Sequence, residues 1–186
     1  KCGYEYKKNS KAIVLGVKNS FHGINSWGFV TDSEISSVKN RVANYPKNNW
    51  ELHSLDVLIE KLKNITQSIS SVIIEPIQCT AGDIYLDVDK LKKIQELCNK
   101  NNICFIVDEI QTGFGVTGEM WYSSKIGLDP DIIIFGKKSQ ICGIMTNDKY
   151  SEAIHSQYRK LEVTFDGELI DAIRSEYILN AIEKNS

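Results

Sequence analysis

Short apolar runs alternate along this chain with longer stretches whose apolar positions recur at helical spacing. Residues 12–17, 72–74, 103–107 and 132–135 are apolar almost without a break, which predicts strands buried on both faces. Residues 55–69 place Leu55, Leu58, Ile59, Leu62, Ile65 and Ile69 on one helical stripe. Residues 87–100 do the same with Val88, Leu91, Ile94, Leu97 and Cys98, charges lying between. A short helix over 119–126, a short strand over 141–145 and helices over 151–158 and 169–183 complete the pattern. Residues 1–6 read as the tail of a helix, and 21–32 and 40–50 as loops rich in Gly, Ser, Asn and Pro. Strands alternating with helices predict an α/β domain built on a mainly parallel sheet flanked by helices. In such sheets ligands bind beyond the carboxyl ends of the strands.

Composition narrows this further. The chain has 186 residues, 42% hydrophobic and 25% charged, with a net charge of −2. One domain with a buried core follows, and a disordered chain is excluded. The charge balance gives no reason to expect nucleic-acid binding, and no apolar run approaches the about 18 residues of a membrane span. The cysteines, Cys2, Cys79, Cys98, Cys104 and Cys142, form no Cys-x-x-Cys pair and read as small, mostly buried residues of a reducing, cytoplasmic setting. His22, His53 and His155 are too scattered to suggest a metal site. The start at Lys1, without methionine or signal pattern, and the end within a helical pattern read as a fragment.

Three successive strands end in charge: Glu75, then Asp108 with Glu109, then Lys137 with Lys138. A single such charge is most simply a solvated loop residue. Three of opposite sign on one sheet edge can share a polar site, in which a lysine can lose its proton and act as an amine nucleophile. Gly136-Lys137 is no phosphate loop, because Asp131 stands where that pattern needs glycine. Gly113-Phe114-Gly115-Val116-Thr117-Gly118 matches G-x-G-x-x-G, but an acidic pair closes the strand before it. It reads as a glycine-rich turn crossing the strand ends. Residues 104–109 look like the metal-holding strand of an ATPase, yet no phosphate loop precedes them.

Taken together, Phe21-His22-Gly23, Ile74-Glu75-Pro76-Ile77-Gln78, Val107-Asp108-Glu109-Ile110-Gln111-Thr112-Gly113-Phe114-Gly115 and Pro130-Asp131-Ile132-Ile133-Ile134-Phe135-Gly136-Lys137 resemble the class III pyridoxal-phosphate (PLP) aminotransferases. Order and spacing match over nearly the whole chain. Within the family, Gly136 to Met145 and Glu119-Met120-Trp121 are most similar to the lysine 6-aminotransferase branch. The resemblance implies the large domain of PLP-dependent transferase fold type I, incomplete here. Residues 1–186 would be its central part, with the upstream phosphate loop and the C-terminal small domain missing. It implies that Lys137 carries PLP and moves a proton, and that Asp108 pairs with the pyridinium nitrogen. Gln111 would bond the ring's phenolic oxygen and lie near the substrate, and Phe21 would stack on the ring. Thr164 would reach the phosphate of a neighbouring subunit, implying a homodimer. Lys138 reads as a structural or surface charge.

The implied reaction moves the terminal amine of L-lysine to 2-oxoglutarate, giving 2-aminoadipate 6-semialdehyde and glutamate. Three positions depart from the pattern. Ile24 stands where many relatives carry an arginine that binds a substrate carboxylate, a charged contact worth on the order of 2–5 kcal/mol. Thr80 replaces an acidic residue, and Phe165-Asp166-Gly167-Glu168 replaces Trp-Gly-Gly-Asn after Thr164. Cofactor-handling residues are therefore kept and substrate-handling ones altered. This leaves open another amine donor, of the ornithine or 4-aminobutyrate type, or a non-catalytic truncated remnant.

Overall fold

The computed structural model describes residues 1–24, 31–32, 34–39, 49–155 and 167–185. A six-stranded sheet runs through it in the order β2-β1-β3-β6-β7-β8. The strands are β1 (Ile13–Val17), β2 (Trp50–His53), β3 (Ile69–Ile74), β6 (Cys104–Asp108), β7 (Ile132–Phe135) and β8 (Gly143–Thr146). All neighbours are parallel except β7 and β8, which form an antiparallel hairpin. β4 (Ile77–Gln78) and β5 (Ile84–Tyr85) make a separate two-stranded ribbon. The helices are α1 (Cys2–Lys7), α2 (Leu55–Lys63), α3 (Val88–Lys100), α4 (Tyr122–Lys125), α5 (Asp148–His155) and α6 (Leu169–Asn185).

The two faces of the sheet can be read from β6. Phe105 and Val107 point into a large core with Leu58 and Leu62 of α2 and Leu91, Ile94, Leu97 and Cys98 of α3. Cys104 and Ile106, offset by one residue, join the opposite cluster with Cys2 and Tyr6 of α1 and Tyr150 and Ile154 of α5. This period of two is the pleat of a strand buried on both sides. α3 starts one residue later than expected, because Asp87 is its N-cap: the side chain accepts the Lys90 N–H at 3.0 Å and satisfies one of the helix's free donors.

Several expectations are corrected. The helix expected over 55–69 stops at Lys63, because Asn64 leaves helical geometry (φ −120°, ψ 67°). Ile65 is then an exposed loop residue, and Ile69 opens β3. The strand expected over 103–107 begins one residue later, since the Ile103 N–H still closes the end of α3 on Cys98 O at 2.9 Å. The short helix over 119–126 contracts to Tyr122–Lys125. The helix expected at 151 begins at Asp148, and residues 156–160 lie outside the described ones. Trp50–His53, whose first residue was expected in a loop, is an edge strand.

Candidate active site

Register places the strand-end charges. β3 and β6 pair Ser71 with Cys104 and Ile73 with Ile106. One pleat further, Glu75 and Asp108 fall on that same face, at the carboxyl ends of adjacent strands. β6 and β7 pair Asp108 with Ile134. The Glu109 N–H also donates to Ile134 O at 2.9 Å, which ties the end of β6 to β7 just before the turn carrying Lys137.

Asp108 is buried and accepts two bonds, from the Ile110 N–H at 3.1 Å and from His22, whose Nδ1 lies 2.8 Å from its Oδ2. The His22 side chain is 3% exposed. Its main-chain N–H donates to Thr31 Oγ1 at 2.9 Å, and Thr31 donates on to Gly23 O at 2.6 Å. The other ring nitrogen, Nε2, is buried with no protein partner. Next to it in sequence, the Phe21 N–H donates to Glu75 Oε1 at 2.6 Å. Burial pushes the Glu75 carboxyl up to about 7. His22, the Phe21 N–H and Lys137 pull it back, and Asp108 adds to the rise. Glu75, His22, Asp108 and Lys137 therefore share one electrostatic neighbourhood.

Lys137 opens a 3₁₀ turn over Lys137–Ser139. Its φ is +55° and that of Gln140 is +61°. Left-handed backbone costs a non-glycine residue about 1–2 kcal/mol, and such outliers cluster at functional sites. The turn is held by the Gln140 N–H and Nε2, both donating to Lys137 O at 3.0 Å, and by buried Ser139, whose Oγ donates to Ile141 O at 2.5 Å. Before it, Gly136 admits the return strand closely: a Cβ there would meet Cys142 Sγ at 2.9 Å. The Lys137 side chain is exposed.

The loop after β6 is anchored by Glu109, 1% exposed. Its carboxylate accepts the Ser123 N–H at 2.6 Å, the Tyr122 N–H at 3.2 Å and the Thr112 hydroxyl. The Gly113–Gly118 stretch is a turn, with positive φ at Phe114, Gly115 and Gly118 and no helix starting in it. Gln111, half-buried, borders a cleft of about 440 Å³ together with Ile77, Cys79, Asp83, Tyr85 and Thr112. Lys138 is half-buried and takes the structural of its two expected roles: its ammonium donates to the Gln111 main-chain carbonyl.

Asp108 thus closes β6, and Phe21, Gln111 and Lys137 lie on segments that follow strand ends, while Thr164 is outside the described residues. Ile24 and Thr80 are half-buried. The sequence patterns assign no role to His22, and for Glu75 and the anchoring Glu109 they show only a strand-end charge. The available signals were the place of His22 directly after Phe21 and the acidic residue directly before Pro76.

Comparison with known proteins gives a consistent picture. The sequence model of Aminotransferase class-III matches residues 1–186. An L-lysine-epsilon aminotransferase of Streptomyces clavuligerus is 30% identical over 99% of this chain and 45% of its own length. An ornithine aminotransferase of Oceanobacillus iheyensis is 35% identical over 69% of this chain and 32% of its own. Among solved structures, the lysine aminotransferase from M. tuberculosis in the internal aldimine form superposes with a TM-score of 0.87 at 25% identity, covering 99% of this chain and 49% of that one. The chain spans about half the length of the lysine enzymes it matches.

Proposed function

This chain belongs to the class-III aminotransferases, and on that premise we propose that it is the central part of the PLP-binding large domain of a lysine 6-transaminase. The proposed reaction takes the terminal amine of L-lysine to 2-oxoglutarate, leaving 2-aminoadipate 6-semialdehyde and glutamate. The observation that carries this reading is the pairing of a primary amine and a buried carboxylate at one sheet edge: Lys137 on its left-handed turn after β7, and Asp108 at the end of β6.

These residues fit the cofactor. A pyridinium N–H needs a fixed carboxylate, and Asp108 is held by the Ile110 N–H and His22. An aldehyde needs a primary amine free to reach it, and the Lys137 side chain is exposed at the same edge. When bound, PLP supplies an electron sink for the carbon that loses its proton. Lys137 acts as nucleophile and then as the base that carries that proton. Glu75 holds the Phe21 backbone, which would steady the side chain that stacks on the ring. Gln111, which borders the cleft, would supply its amide to the phenolic oxygen and the substrate.

The proposed assembly is a cytoplasmic homodimer in which Thr164 contacts the neighbouring cofactor's phosphate. Leu169, Ile173 and Tyr177 of α6 recur at four-residue spacing with exposures of 70%, 45% and 74%, an apolar stripe suited to a partner surface. The cysteines are free thiols, in keeping with a reducing compartment.

Ile24 and Thr80 favour a second reading, a transaminase with a different amine donor. Glutamate formation from 2-oxoglutarate, measured with lysine, ornithine and 4-aminobutyrate in turn, decides between them. Lysine as the best donor supports the first reading; ornithine or 4-aminobutyrate at ten-fold higher rate supports the second.

A further inference from the structure

We propose that Lys138 is a positioning residue: its ammonium ties the main-chain carbonyl of Gln111 to the turn that carries Lys137, so that the two loops presenting the site are held as one unit. The meaning of Gln111 and Lys137 rests on the PLP reading above, whereas the tie is a contact of this chain alone.

Two adjacent lysines have opposite surroundings. Lys137 is exposed, and Lys138 is half-buried. An ammonium is a strongly hydrated point charge, and drawing it out of water is unfavourable unless its donors find acceptors. The acceptor here is the carbonyl of Gln111, 27 residues earlier, on the loop after the neighbouring strand β6. Burial, and after it the neighbouring Lys137 charge, pull the Lys138 amine below the usual lysine range, while the Cys79 thiol acts the other way.

The loop that receives this bond closes mainly on itself. The Gly113 N–H donates to Glu109 O and the Phe114 N–H to Met120 O, both at 2.8 Å. Thr112 and the start of α4 are fixed to Glu109. Those bonds set the shape of the loop. The Lys138 bond joins it to a different element, the turn after β7, on which α6 also packs. A loop and a turn held at one point cannot drift independently, and site geometry is sensitive to shifts of about 1 Å.

The test compares the chain with Lys138→Met, which keeps the aliphatic stem without the donor, and Lys138→Arg, which keeps charge and donors. Amide hydrogen exchange is the first readout, and borohydride trapping of added PLP, mapped by peptide mass, is the second. In Lys138→Met, exchange at residues 111–114 is expected to rise at least ten-fold while residues 122–126 keep their protection. Trapping at Lys137 falls several-fold, and Lys138→Arg recovers most of both. Unchanged exchange at 111–114 in Lys138→Met overturns the proposal. So does faster exchange spread evenly over β3, β6 and the loop, which would mark a general role in folding. Label found away from Lys137 in the unsubstituted chain would sink the PLP reading, and the exchange result would still decide the tie.

Discussion

His22 Nδ1 and Asp108 Oδ2 lie 2.8 Å apart although the two residues are 86 positions apart in sequence, and both side chains are almost wholly buried. This bond joins the loop after β1 to the end of β6. Replacing His22 with Ala leaves a buried carboxylate with only the Ile110 N–H, a loss of about 1.5–3 kcal/mol for a hydrogen bond to a charged group. Urea unfolding of His22→Ala should show that loss. In the Asp108→Asn background the same change should cost measurably less, because the two residues are coupled. Equal losses in both backgrounds would mean that the contact carries no energy of its own.

Glu75 makes stability depend on pH. Its carboxyl titrates near 7 in the folded chain, against 4.5 for the free group. The folded state therefore holds the proton more tightly, and its contribution is fully present below pH 4.5 and lost as pH rises through 7. The difference is on the order of 3 kcal/mol by the conversion of pKa to free energy. Glu75→Gln keeps an oxygen for the Phe21 N–H and has no proton to lose. It should flatten the stability profile between pH 4.5 and 7 and leave the variant more stable than the parent at pH 8, as read from thermal or urea unfolding at a series of pH values.

Glu109 anchors the loop on which Gln111 sits. Its two oxygens accept from Thr112, Tyr122 and Ser123. A glutamine there turns one acceptor into a donor facing donors, so even this isosteric change should cost about 1–3 kcal/mol. Hydrogen exchange should speed up first between residues 112 and 125. If Glu109→Gln unfolds at the same urea concentration as the parent, the carboxylate is not the anchor.

The middle of the sheet was largely legible because β3 and β6 are buried on both faces. Ile132–Phe135 was placed to the residue, and α3 was displaced only at its first position, since Asp87 caps it. Trp50–His53 was hidden because all its residues are half-buried on the sheet edge and carry no alternation. The two-residue strands β4 and β5 are too short for any period to show. Ile65 and Ile69 continued a helical stripe by coincidence of spacing, and Asn64 alone marked the true end.

The candidate site was half legible. Lys137, Asp108 and Gln111 were singled out through the family resemblance of their motifs, which requires no knowledge of contacts. His22 against Asp108, Glu75 against Phe21 and Lys138 against Gln111 are pairings across 86, 54 and 27 positions, and no local pattern reports a pairing of that length.

The central claim is that Lys137 is the amine that takes the cofactor. Incubating the chain with PLP, reducing with borohydride and mapping the pyridoxyl group by peptide mass tests it directly. The account predicts label on Lys137, with Lys137→Ala taking none at the site. Label on Lys138 in the unsubstituted chain, or the same labelling in Lys137→Ala, would contradict it.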